Sequence, residues 1–115
     1  MRALALALAL LPLAAFANDA VRIDTRDAFV ALVQDRPLTR FGITLNVAPG
    51  GQITGRAFGM NVTGDWSWQN GFFCRTLAYG SDVLPRNCQV VEKRGTTLRF
   101  TADQGKGDYA DLRIR

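Results

Sequence analysis

Apolar residues follow three different patterns along this chain, and each predicts a different kind of segment. Positions 1–17, MRALALALALLPLAAFA, hold one early charge, Arg2, then an apolar run, then Ala15-Phe16-Ala17. Charge, apolar stretch and small residues in that order make a secretory signal peptide, with cleavage expected between Ala17 and Asn18. The apolar run is about fifteen residues, short of the roughly twenty that a spanning helix needs. The mature chain is therefore expected to be 18–115, one domain with no membrane span.

The second pattern is helical. Ala28, Phe29, Leu32 and Val33 recur at the spacing of one helix face. Asp24 or Thr25 is placed to cap the N-terminus, and Asp27 sits in the first turn, where a negative charge is favoured. Pro37 ends the helix, because it disfavours helical backbone at Arg36 and has no N–H to donate.

Beyond Pro37 the period shortens to two, and turn residues punctuate the chain. Candidate strands are 41–48, 52–58, 61–69, 72–79, 86–93, 96–102 and 108–115, separated by Pro49-Gly50-Gly51, Gly59-Met60, Asn70-Gly71, Gly80-Ser81-Asp82, Arg94-Gly95 and Gln104-Gly105-Lys106-Gly107. The fold class predicted is mainly β: an antiparallel meander of about seven strands forming a small barrel or half-open roll, with one N-terminal helix. A nucleotide-binding βαβ fold would need helices alternating with the strands, and none is present.

The segment DWSWQNGFFCR (65–75) is the most informative stretch. Asn70-Gly71 suits a type I′ hairpin, whose two central residues need positive φ. A two-residue loop pairs Gln69 with Phe72, Trp68 with Phe73, Ser67 with Cys74 and Trp66 with Arg75. Alternation then puts Trp66, Trp68, Phe73 and Arg75 on one face. That face is either core beneath the helix or a candidate ligand face, with Arg75 over Trp66 as a cation–π floor for an anionic or ring-shaped ligand. Packing alone accounts for the aromatics. The arginine favours a pocket, because an unpaired buried charge is expensive.

Composition changes the picture in two places. Cys74 and Cys88 are the two cysteines. After an export signal a disulfide between them is the economical expectation. The chain has no histidine. That removes Ser-His and Cys-His nucleophiles and leaves no zinc set, so no catalytic residue, metal site or cofactor is expected. The acidic run DQGKGD (103–108) lacks the ligand spacing and closing glutamate of a calcium loop. The formal charge is +4, and loss of Arg2 with the leader lowers it by one. The basic residues are scattered, with Lys93-Arg94 as the longest run, so no nucleic-acid partner is expected.

The phrases G-x-W-x-W-x-x-G-F-F-C-R (64–75), N-C-Q (87–89), R-F-T-x-D-x-G-x-G-D (99–108) and L-T-R-F-G-I (38–43) resemble a group of short exported proteins of Gram-negative bacteria. Members of that group often carry the name dihydrodipicolinate reductase, which implies an oxidoreductase using NAD(P)H. The reductase pattern has a glycine-rich dinucleotide loop after its first strand and a histidine-rich catalytic segment. No position here matches either, so the resemblance brings no catalytic residue with it.

Together these observations predict a periplasmic or secreted β-domain that acts by binding a small ligand or an envelope protein. Four alternatives stay open: the reductase of the family name, a hydrolase using aspartates, a secreted inhibitor of a wall-degrading enzyme acting through an exposed loop at 79–86, and a purely structural envelope component.

Overall fold

The computed structural model describes residues 19–115; the expected signal peptide 1–17 and its cleavage point between Ala17 and Asn18 lie outside the described residues. A short strand β1 (Val21–Ile23) leads into helix α1 (Arg26–Val33). The remaining strands are β2 (Leu38–Arg40), β3 (Ile43–Val47), β4 (Gln52–Ala57), β5 (Met60–Gln69), β6 (Phe72–Tyr79), β7 (Asp82–Arg94), β8 (Thr97–Thr101) and β9 (Tyr109–Ile114). A four-residue helical turn, Ala102–Gly105, sits between β8 and β9.

All pairings are antiparallel. The sheet order is β1-β7-β6-β5-β4-β3-β2-β9-β8, and a further β7–β8 pairing closes β2 to β9 into an eight-stranded barrel. Closure satisfies every sheet edge of the barrel. The thirteen-residue β7 makes closure possible. Its first part pairs with β6, its last part with β8, and the edge left beyond β6 is taken by β1, with Ile23 opposite Val91.

Neighbouring strands pack closely where β3, β4, β5 and β6 curve. A Cβ on Gly55 would run into the Thr44 carbonyl, and one on Gly64 into that of Thr76. Glycine at these two sites lets the sheet coil tightly enough to close.

The mainly β fold with an N-terminal helix is as the pattern predicts, and three details differ. β1 is an additional strand. The expected first strand, 41–48, starts only at Ile43, because Phe41-Gly42 forms a turn with Gly42 at φ +74°, and β2 on the other side of that turn is a further additional strand. The expected loop at 79–86 is instead a tight hairpin, because Tyr79 already pairs with Asp82.

The Asn70-Gly71 turn forms with φ of +51° and +84°, and β5 and β6 pair from Gln69–Phe72 through Trp66–Arg75 in the register the two-residue loop dictates. Cys74 lies opposite Cys88 and is bonded to it, with 3.9 Å between their Cα atoms. Among the described residues, no helix is long and apolar enough to cross a membrane.

Helix α1 closes one end of the barrel. Thr25 caps it by accepting from the Ala28 N–H through its hydroxyl at 3.2 Å, which satisfies a donor the helix would otherwise leave open. Phe29 and Val33 face inward and are fully buried. Phe29 is surrounded by Trp66, Trp68, Phe73 and Phe100, at ring separations of 5.3, 5.2, 5.0 and 6.3 Å. Polar ties hold this end shut: the Trp66 indole N–H donates to the Ala48 carbonyl at 2.8 Å and that of Trp68 to the Asp24 carbonyl at 3.1 Å. Arg26 bonds the Pro49 carbonyl.

Candidate ligand cavity

Above this aromatic floor the barrel is hollow. A cavity of about 320 Å³ is walled by inward-facing residues of β2, β3, β4, β6, β7, β8 and β9, including Leu45, Leu77, Phe100 and Leu112, and it reaches the barrel end opposite α1. Eight strands give an interior that side chains either just fill or leave large enough for one small ligand. Here the large rings gather under the helix, while Leu, Ile and Ala line the upper half. The size falls at the lower end of the roughly 300–1,000 Å³ usual for small-molecule sites.

Arg75 is the polar group that distinguishes this cavity. Strand alternation aims it inward from β6 beside Phe73 and Leu77. Between Arg75 and Leu77 the β6–β7 register shifts: Pro85 and Arg86 of β7 stand opposite the single Thr76, one extra residue. Proline has no N–H for the ladder, which favours a bulge at this point. The bulge leaves the Pro85 carbonyl to accept from Nη1 of Arg75 at 3.1 Å.

Loss of water on burial pulls the Arg75 guanidinium below its ordinary pKa, and no nearby carboxylate acts against that shift. The group stays cationic at neutral pH. Among the described residues the ion pairs are Arg22–Asp24 and Arg99–Asp111, so Arg75 has no acidic partner.

Gln89 is the second polar group in the wall. It is only 7% exposed and lies opposite Phe73. Its Nε2 donates to Oδ1 of Asn87 at 3.2 Å, Asn87 donates to Oδ1 of Asp103 at 2.8 Å, and the Asp103 N–H donates back to Asn87 at 3.0 Å. This chain fastens the Ala102–Gly105 turn to β7 at the edge of the mouth. Arg40, Asp108 and Tyr109 complete that edge.

The hairpin face expected to bind ligand is thus divided by depth. Trp66 and Trp68 pack against Phe29 and belong to the floor, outside the cavity lining. Phe73 and Arg75 do line the cavity. The expected placement of Arg75 over Trp66 does not occur. The cation over that ring is Arg26 of α1, 5.4 Å from the centroid, while Arg75 turns to the Pro85 carbonyl.

Gln89 escaped the sequence analysis, although a signal for it exists. Once Cys74 is set opposite Cys88, the preceding Phe73 and following Gln89 must face each other on the side away from the disulfide. Among the described residues no group of Cys, Asp and Glu is placed to hold a metal ion.

These features define a closed eight-stranded antiparallel barrel with a helical floor and a one-ended cavity. Comparison with protein-family models, curated proteins and solved structures gives no match to this chain.

Proposed function

We propose that this chain is an exported binding protein whose barrel takes up one small amphipathic anion, with Arg75 as counter-ion and the apolar wall holding the tail. Export is supported by the leader-like order of positions 1–17 and by the Cys74–Cys88 disulfide, which persists in oxidising compartments. The observation that carries the binding role is the half-buried Arg75 guanidinium, which has a backbone carbonyl but no carboxylate as partner and stands in a mainly apolar cavity wall. Such a charge is costly without a partner, and a carboxylate entering from the mouth supplies one in planar, two-point geometry. The cavity volume suits a medium-chain fatty acid or an aromatic carboxylate.

Calorimetric titration of the oxidised mature protein with octanoate and octanol tests this. Octanoate should bind more tightly than octanol. Arg75→Met should weaken octanoate by roughly ten- to hundredfold, the worth of a charge-assisted hydrogen bond, and leave octanol nearly unchanged. Equal loss for both ligands, or no binding of either, overturns the proposal. NADPH run alongside addresses the reductase name directly: saturable NADPH binding would favour it over a carboxylate site.

A further inference from the structure

The exposed apolar side chains of this domain are gathered at one end. Phe41 and Phe58 sit on connections at the cavity-mouth end, and Met60, Val83, Leu84 and Tyr109 on the first residues of the strands that start there, whereas Val21 is the one large exposed apolar residue placed elsewhere among the described residues. A contiguous apolar patch on a small domain marks a contact surface.

Two neighbouring tips form the most apolar part. Phe41-Gly42 joins β2 to β3 and Phe58-Gly59 joins β4 to β5, and a Cβ on Gly42 would collide with the Phe58 ring lying against it. Met60 continues the patch to Gly80 on the third tip, where its sulfur occupies the space a Cβ would need. Phe41 is 91% exposed and Phe58 61%.

Phe58 carries a second signal in its backbone. Phe58-Gly59 has φ of +50° and +83°, nearly the same as Asn70-Gly71 at the closed end, with +51° and +84°. Asparagine tolerates that left-handed conformation, whereas a bulky aromatic residue there is strained. At the open end the strained residue is also the exposed one, so neither backbone preference nor burial accounts for phenylalanine. Strain retained at a surface tip points to a contact the isolated chain does not make.

Charge indicates the partner. The two tips carry Arg40 and Arg56 and no carboxylate, while the acidic residues of this end, Asp82, Asp103 and Asp108, lie on the β6–β7 tip and the β8–β9 connection. Two copies meeting lip to lip would bring like charges together. Aromatic and thioether side chains flanked by arginine suit the boundary between acyl chains and anionic headgroups. We infer that the lip of Phe41, Phe58 and Met60, with Arg40 and Arg56, docks the open end of the barrel on an anionic lipid bilayer. The mouth of the cavity then faces the phase in which an apolar anion dissolves.

Co-sedimentation of the oxidised mature protein with phosphatidylcholine vesicles, with and without phosphatidylglycerol, tests this. Binding should be about tenfold or more stronger to the anionic vesicles and should weaken with salt. Phe41→Asp and Phe58→Asn should each lower it by about tenfold or more, with the melting temperature not reduced. Failure to bind anionic vesicles, or unchanged binding by Phe41→Asp, overturns the inference. Concentration-dependent dimerisation that Phe41→Asp abolishes, without vesicle binding, assigns the lip to a second copy instead. Arg75→Met should leave vesicle binding intact, and Phe41→Asp should leave octanoate binding intact, so the docking surface and the cavity site can fail separately.

Discussion

The Phe29 ring meets Trp66 nearly edge-on, at 71° and a centroid separation of 5.3 Å, and this contact divides the barrel into a solid half and a hollow one. Below it the aromatics interlock with α1. Above it the wall is mainly aliphatic, with Phe73 and Phe100 at its base and Arg75 and Gln89 as its polar groups. A single sheet thus serves both as core and as container.

Phe29 is expected to be the most sensitive core position. It is fully buried among four aromatic rings that cannot collapse around a vacancy. Phe29→Ala should destabilise the domain by about 3–5 kcal/mol, measured by urea unfolding. The same substitution opens the floor of the cavity, so any folded fraction should accept longer acyl carboxylates than the native protein does.

The disulfide acts on the chain rather than on the site. Cys74 and Cys88 are fourteen residues apart in sequence and project from the face of the sheet opposite Phe73 and Gln89. Replacing both by serine should lower stability by about 3 kcal/mol, the loop-closure entropy restored to the unfolded state. Octanoate affinity of the folded protein should be unchanged, and calorimetry below the melting transition checks it.

Where local chemistry decides the structure, the sequence was legible. Asn70-Gly71 specifies its turn, the turn fixes the β5–β6 register, and alternation then places Phe73 and Arg75 together. The Thr25 cap and the Phe29–Val33 face behave the same way. Long-range geometry was not legible. β1 is three residues long, too short to show alternation, and forms because β7 extends past β6. Whether a tryptophan packs as floor or wall depends on where α1 crosses the barrel end, which no local pattern encodes. The partner of Arg75 is likewise a carbonyl freed by a bulge at Pro85 on the next strand.

The Arg99–Asp111 pair sets an acid limit on stability. Two hydrogen bonds from the guanidinium, 2.8 and 3.0 Å, hold the Asp111 carboxyl below its ordinary pKa. A carboxyl depressed in the folded state contributes stability above its unfolded pKa, near 4, and loses it as pH falls through the folded value. Both groups are well solvated, so the contribution is small. Melting temperatures of native and Asp111→Asn proteins should therefore differ slightly at neutral pH and converge as the pH is lowered below about 4. With no histidine in the chain, octanoate affinity should be flat between about pH 6 and 8.

Phe58 offers a direct comparison of stability with use. Its backbone matches that of Asn70, and its side chain rests on Gly42 while leaving most of the ring in water. Phe58→Asn removes little buried area and relieves a left-handed aromatic residue. The turn is already held by Arg56, which donates to the Asn61 side chain at 2.9 Å and to the Gly59 carbonyl. The variant should be more stable by about 0.5–1 kcal/mol, seen as a higher melting temperature. A stabilising substitution at an exposed tip that also removes vesicle binding is what a residue kept for contact would give. A destabilising one would mean that the Phe58–Gly42 packing holds the tip together and that the ring belongs to the fold.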